Sequence, residues 1–343
     1  MTASHLSAAF PAGDGVEHPA EEDPALVTGE GVALGGYPRL YSAADLSAGV
    51  RTGERETTFA VAAGNWVAER QRVGGRAWTA YGAAHDADLD DLVAEAIRAF
   101  RTRHPWGRVV GVMGGHAVAR DSAVYRDCAR LGWALAGRGA LVITGGGPGV
   151  MEAVNLGAYL AARPRADLDA ALALIAATDQ EDLAPVHELR ASFPPPDADD
   201  LARSGGLAIA SWQNEVPQEA NLFAAATARY VADPAPEGRL MTVTACRVLF
   251  APGRVGTVQE AVQVAARLYY GIEGATGPVV FLGRRFWTES MPVRPLLDRL
   301  LPPGAAVVYT DAVEEAVATL IEPAITLSET AGTPVEPGDD HDR

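Results

Sequence analysis

Two glycine-rich turns are the segments best suited to chemistry: Gly145-Gly146-Gly147-Pro148-Gly149, and Pro252-Gly253-Arg254-Val255-Gly256-Thr257. Glycine lets backbone N–H groups come close to a ligand, and a helix starting just after such a turn adds partial positive charge. Both turns follow a short apolar run and precede a helical pattern, so each is a candidate phosphate cradle. Glycines also serve simply to reverse a chain tightly, and a single glycine-rich turn is weak evidence. Two in one sheet are stronger. Gly114, at the end of another apolar run, offers a third close backbone approach.

The second turn continues as Thr257-Val258-Gln259-Glu260. T-x-x-E at a helix start reads as a capping box, the hydroxyl taking one backbone N–H and the carboxylate reaching back to another. It also reads as a hydroxyl on phosphate beside a carboxylate facing a sugar. A carboxylate next to an anion site is electrostatically costly, which speaks for a purpose beyond capping.

Other chemistries are excluded by residue type or position. The dinucleotide fingerprint G-x-G-x-x-G fails, because counting from Gly145 or Gly147 its last place falls on Val150 or Glu152. All 28 basic residues are arginine. A chain without lysine has neither a P-loop lysine for nucleoside triphosphates nor a Schiff-base lysine for pyridoxal phosphate. His85, His104 and His187 lack metal-ligand spacing, so neither a metal nor a cofactor is expected. His116 follows an apolar run and is a candidate cleft contact or an ordinary loop histidine. Trp212 and Tyr269-Tyr270 could stack on a base, join two copies, or pack internally. Glu215 could reach the cleft from a strand end. Cys128 and Cys246 read as core residues, and two distant cysteines suit a reducing cytoplasm.

The elements that must position these turns alternate. Strands are expected at 108–113, 140–144, 207–211, 247–250, 278–282 and 306–309. Helices are expected at about 88–103, 122–135, 150–160, 167–178, 218–231, 257–270, 292–301 and 311–321, with Asp121-Ser122 capping the second. Short apolar strands alternating with helices mean an α/β fold, a doubly wound Rossmann-like parallel sheet flanked by helices. Ligands of such sheets bind where strands end and helices begin.

The net charge of −16 is concentrated at the ends: six acidic and no basic residues precede Arg39, and six acidic residues face one arginine from Glu322 onward. Residues 1–38 and 323–343 are therefore expected to be acidic tails, 39–105 an N-terminal extension ending in a helix, and 106–322 the Rossmann-like domain. An acidic chain without basic clusters argues against nucleic acid and anionic membrane as partners. No apolar run is long enough to span a bilayer and no export signal is visible, so a cytoplasmic protein is expected.

The turns together resemble the Lonely Guy family of phosphoribohydrolases, often labelled lysine decarboxylase-like. Pro252, Gly253, Gly256, Thr257 and Glu260 match that family's P-G-G-x-G-T-x-x-E, with Arg254 in place of a glycine; 145–153 is similar to its G-G-G-P-G-x-M-E-A. Tyr125, Ala129, Leu131 and Gly132 also fit, and the likeness runs over about 106–322. Pro217, Asn221, Phe223 and Ala224 look like a longer branch of the family.

The resemblance implies a nucleoside or cytokinin-like 5′-monophosphate, hydrolysed to free base and ribose 5-phosphate by a homodimer. Gly253, Gly256 and Thr257 would hold phosphate, with Arg254 as a clamp or a solvent-facing departure. Glu260 would act at the ribose. Gly114, Gly145, Gly146, Gly147 and Gly149 would line the cleft, with Met151 and Glu152 behind them. The family's hydrolases carry an Arg-Lys pair on the helix before the second motif strand. Here the expected helix 218–231 has only Arg229, making it the candidate catalytic arginine. The alternative is a non-catalytic nucleotide sensor using the same cleft. The decarboxylase label fails with the missing lysine.

Overall fold

The computed structural model describes residues 38–52, 55–179, 182–212, 220–233 and 235–321. Apart from residue 38, the expected tails lie outside the described residues, as do Glu215 and Pro217.

The chain enters through α1 (Ala43–Ser47), the antiparallel pair β1 (Gly49–Thr52) and β2 (Arg55–Thr58), α2 (Phe59–Val73) and the long α3 (Gly75–Arg103). A parallel α/β series follows: β3 (Val109–Met113), α4 (Ala123–Gly137), β4 (Leu141–Thr144), α5 (Val150–Tyr159), α6 (Arg165–Ile175), α7 (Ala184–Ser192), β5 (Leu207–Ser211) and β6 (Ala226–Tyr230). Then come α8 (Glu237–Val243), β7 (Val248–Phe250), α9 (Val255–Tyr270), β8 (Val279–Leu282), α10 (Arg294–Leu300), β9 (Val307–Thr310) and α11 (Val313–Ile321). The sheet order is β6-β5-β4-β3-β7-β8-β9, every pairing parallel.

This is the expected doubly wound fold, with seven strands where six were expected. Strands β3, β4, β5, β7 and β8 are buried throughout, which is why they read as unbroken apolar runs. Ser122 caps α4 by accepting from Tyr125 N at 3.1 Å, as its position suggested. Two cores flank the sheet. On one face Val110, Val142 and Val280 pack against α4, α5 and α11; on the other Met113, Ile143 and Phe281 pack against α3, α9 and α10. No helix among the described residues is long and apolar enough to cross a membrane.

The main departure is β6. Ala226-Thr227-Ala228-Arg229-Tyr230 lies where helix 218–231 was expected. Its alanines favour a helix, but five register pairs with β5 hold it extended. On its outer side Tyr41 closes an antiparallel bridge to Thr227, each N–H donating to the other's carbonyl at 2.8 Å. The N-terminal segment thus covers an edge that would otherwise be exposed.

The extension is built into the same cores. Leu89, Val93, Ile97 and Phe100 of α3 pack beneath the sheet, while Tyr41, Phe59 and Val67 join the opposite core. Asp86 fastens α3 to the end of β6: its carboxylate accepts from the N–H groups of Val231, Ala232 and Asp233 at 2.8, 3.1 and 3.0 Å. Burial works to raise its pKa, yet the His85 contact and these backbone donors bring it below the ordinary value.

Each buried donor left unpaired costs about 1–3 kcal/mol. Asp86→Ala removes the acceptor of three N–H groups, one of them buried, so urea denaturation is expected to show a loss of about 1–3 kcal/mol.

Candidate functional site

In the sheet order, the chain runs outward from β3 through β4, β5 and β6, then returns to β7 on the other side of β3. The turns after β3 and β7 therefore diverge to opposite faces, and a crevice opens between them, where open α/β sheets bind ligands. Ala251 N donates to Met113 O at 2.9 Å, and Gly115 N to Pro252 O at 2.9 Å. The first glycine turn joins this clasp through Val150 N, which donates to Gly115 O at 3.1 Å.

Two glycines are required by these approaches. Gly149 has φ +69°, and a Cβ there would meet Gly115 O at 2.4 Å; a Cβ on Gly253 would lie 2.1 Å from Thr257 Oγ1. Gly256 differs, since a Cβ there meets nothing within 4 Å. Its bareness keeps the cleft floor open.

The crevice holds a cavity of about 720 Å³. Gly114, Gly145, Gly146, Gly147, Met151, Gly253, Arg254, Gly256, Thr257 and Glu260 line it, as do His116 and Arg229. The structure therefore brings together nearly all the residues singled out from the sequence.

Gly149 and Glu152 are not among the lining residues. Gly149 shapes the turn from behind. Glu152 turns away: both its oxygens pair with Arg120 at 2.8 Å, and Tyr125 OH donates to it at 2.6 Å. The acid of the first motif thus ties α5 to α4 and to the loop after β3. Asn155 accepts from Thr144 Oγ1 at 2.7 Å and from Asn221 Nδ2 at 2.9 Å, while Thr144 Oγ1 accepts from Gly146 N. Asn221 therefore supports the first turn through this network.

The capping-box reading of Thr257 and Glu260 fails. Helix α9 already begins at Val255, Arg254 is its N-cap, and no side chain caps it. The first intrahelical donor is Val258 N, to Arg254 O at 3.0 Å. The N–H groups of Val255, Gly256 and Thr257 precede it and have no partner within the helix. They are a ready anion site at a helix N-terminus. Arg254 has φ −117°, ordinary backbone for any residue, so it replaces the family's glycine without strain there.

Glu260 sits one turn further along. Burial pushes its pKa up to about 8, and Glu237 adds to the rise. Glu237, the first residue of α8, also lines the cleft; burial, with a smaller contribution from Asp233, raises its own pKa. Sequence reasoning missed Glu237 because α8 is too short to show periodicity.

The helix before β7 is α8. Its one arginine, Arg239, is held by Asp90 and Asp233, so an acid faces the cleft from this helix. Arg229, expected on a helix, projects from strand β6. Trp212 is buried beneath Arg229, in a cluster with Tyr41 and Phe59, rather than lining the cleft. Tyr269 and Tyr270 are exposed at the far end of α9, outside the cleft. Among the described residues no group of three or more His, Cys, Asp or Glu could hold a metal ion.

Residues 107–162, from β3 through the first glycine turn and α5, match the model of the SLOG cluster4 family. The chain resembles that family. The matched stretch contains the G-G-G-P-G-x-M-E-A likeness and stops before the second turn. The solved structural-genomics protein TM1055 is 22% identical, over 62% of this chain and 96% of its own, with a TM-score of 0.36. No curated protein matches the chain.

Glu260 has a pKa raised above its unfolded value near 4.5. The folded state therefore binds this proton more tightly than the unfolded one. Stability falls as pH rises from about 4.5 toward 8, then levels off. Glu260→Gln removes this loss, so its melting-temperature advantage over the native chain should grow between about pH 5 and pH 9. An advantage constant with pH would refute the raised pKa.

Proposed function

We propose that the cleft binds a nucleoside 5′-monophosphate and hydrolyses its N-glycosidic bond, giving free base and ribose 5-phosphate. The observation that carries this reading is the juxtaposition on α9: unpartnered N–H groups at Val255, Gly256 and Thr257, with Glu260 one turn later in the same cleft. Phosphate at the helix start, with Arg254 at its rim, anchors the sugar next to the carboxyl. Binding energy from this non-reacting end holds the ribose for attack.

Glu260 is protonated at neutral pH in the empty cleft, which suits a proton donor. As the C1′–N bond breaks, the base leaves with the pair of electrons and takes the Glu260 proton. Water adds at C1′ and gives up a proton to the Glu260 carboxylate, which restores the acid. Glu237 presents a second carboxyl to the cleft from α8, toward the ribose where positive charge builds, so acid and electrostatic roles fall to two carboxyls.

A second reading is a non-catalytic nucleotide sensor. It is favoured by α8, which presents Glu237 to the cleft while Arg239 is tied to Asp90 and Asp233. In either reading a second copy of this chain is the proposed partner, and exposed Tyr269 and Tyr270 suit a contact between copies.

Purified protein incubated with a panel of monophosphates should release base, with kcat/KM falling as pH rises through about 8. Glu260→Gln should reduce kcat at least about 100-fold. Saturable binding without base release would select the sensor. Gly256→Ala should leave stability unchanged or slightly higher, since its Cβ meets nothing in the fold. It should weaken monophosphate binding at least about tenfold, read by calorimetry.

A further inference from the structure

Three arginines are buried among the described residues: Arg120, Arg247 and Arg229. Arg120 is paired with Glu152, and Arg247 Nη1 donates to Leu320 O at 2.7 Å. Arg229 has neither arrangement. It is 5% exposed, its Nε is buried with no hydrogen-bond partner, and it forms no ion pair with a described residue. Burial lowers its pKa to about 10, so it remains a cation at neutral pH. The side chain whose charge acts on it is the Tyr41 phenol, itself pushed up to about 12 by burial and hence neutral. A buried cation without a counter-charge among the described residues is costly, and such a group is a candidate for holding an anionic ligand.

The side chain is also held in place. Its guanidinium lies 4.7 Å from the centre of the Trp212 ring. Tyr41 and Phe59 pack edge-on against that ring at 5.4 and 6.1 Å. Arg229 nevertheless lines the cleft, at the end opposite the second glycine turn. Strand β6 is three strands from β3 and four from β7. At about 4.8 Å per strand, its backbone lies roughly 14–19 Å from those turns. The cleft between is lined by Ala210, Ser211 and the first glycine turn. A phosphate on α9 leaves Arg229 facing a different part of the same ligand.

We propose that Arg229 forms a second anion subsite at the β6 end of the cleft, and that the ligand is a nucleotide with a carboxylate or second phosphate remote from its 5′-phosphate. The planar guanidinium matches either group through paired N–H donors. This rests on the reading of α9 as the 5′-phosphate site.

The test is calorimetric binding of two matched pairs to the full chain. Uridine 5′-monophosphate is set against orotidine 5′-monophosphate, which adds a carboxylate on the base. Adenosine 5′-monophosphate is set against adenosine 3′,5′-bisphosphate, which adds a phosphate on the sugar. The doubly anionic member of at least one pair should bind at least about tenfold more tightly, and the pair that responds separates carboxylate from phosphate. Arg229→Met should erase the preference while raising the melting temperature of the unliganded protein, because a buried unpaired charge is removed. Arg229→Lys, which keeps a charge without the fork, should retain part of the preference.

Equal affinity within both pairs, or a preference that survives Arg229→Met, overturns the subsite. If the monophosphates bind in a Gly256-dependent manner without preference, the subsite falls and the function proposed above stands. If the doubly anionic ligands bind through Arg229 but ignore Gly256→Ala, the subsite stands and the α9 phosphate reading falls.

Discussion

The site depends on one topological constraint: after β6 the chain returns to the middle of the sheet and places β7 against β3. Parallel neighbours whose following segments leave toward opposite faces must open a crevice at their carboxyl ends. The crevice is kept narrow by three backbone hydrogen bonds, from Ala251 to Met113, from Gly115 to Pro252, and from Val150 to Gly115. Chain segments this close leave no room for a Cβ at Gly149, while one at Gly253 would collide with Thr257 and press on Gly115 N. Glycine richness in these turns is therefore first a condition for closing the clasp. The free helix N-terminus of α9 then comes from the same geometry.

Much of this was legible in the sequence. Fully buried strands such as 109–113 and 141–144 announce themselves as apolar runs, and Ser122 announces α4. The two motifs, read as positions at strand ends, located about half of the residues that line the cleft. What failed was local inference where tertiary context decides. An alanine-rich segment around Arg229 prefers a helix in isolation, yet β5 on one side and Tyr41 on the other hold it as a strand. T-x-x-E looked like a cap because the helix was assumed to start at Thr257; starting at Val255, it places Thr257 and Glu260 well inside the first two turns. Glu152 sits in a motif, but its carboxylate supports the fold through Arg120 and Tyr125. Glu237 carried no signal, since a seven-residue helix offers too few turns for a pattern.

The absence of lysine acquires a physical meaning at Arg229. Burial lowers the pKa of any cationic side chain, and a buried lysine can lose its charge near neutrality. Guanidinium starts higher, so even after its depression Arg229 stays charged. The cleft can thus hold a permanent cation at one end while two carboxyls with raised pKa values sit on α8 and α9.

The bridge between Tyr41 and Thr227 has a consequence for what counts as the unit of folding. Tyr41 lies more than sixty residues before the segment that resembles SLOG cluster4, and Arg229 more than sixty after it. Yet Tyr41 pins the strand that carries Arg229 and packs against the tryptophan beneath it. The stretch that matches the family model is therefore smaller than the piece of chain that builds the cleft. A duplicated or transplanted copy of that stretch would inherit a glycine turn without the opposite wall of its pocket.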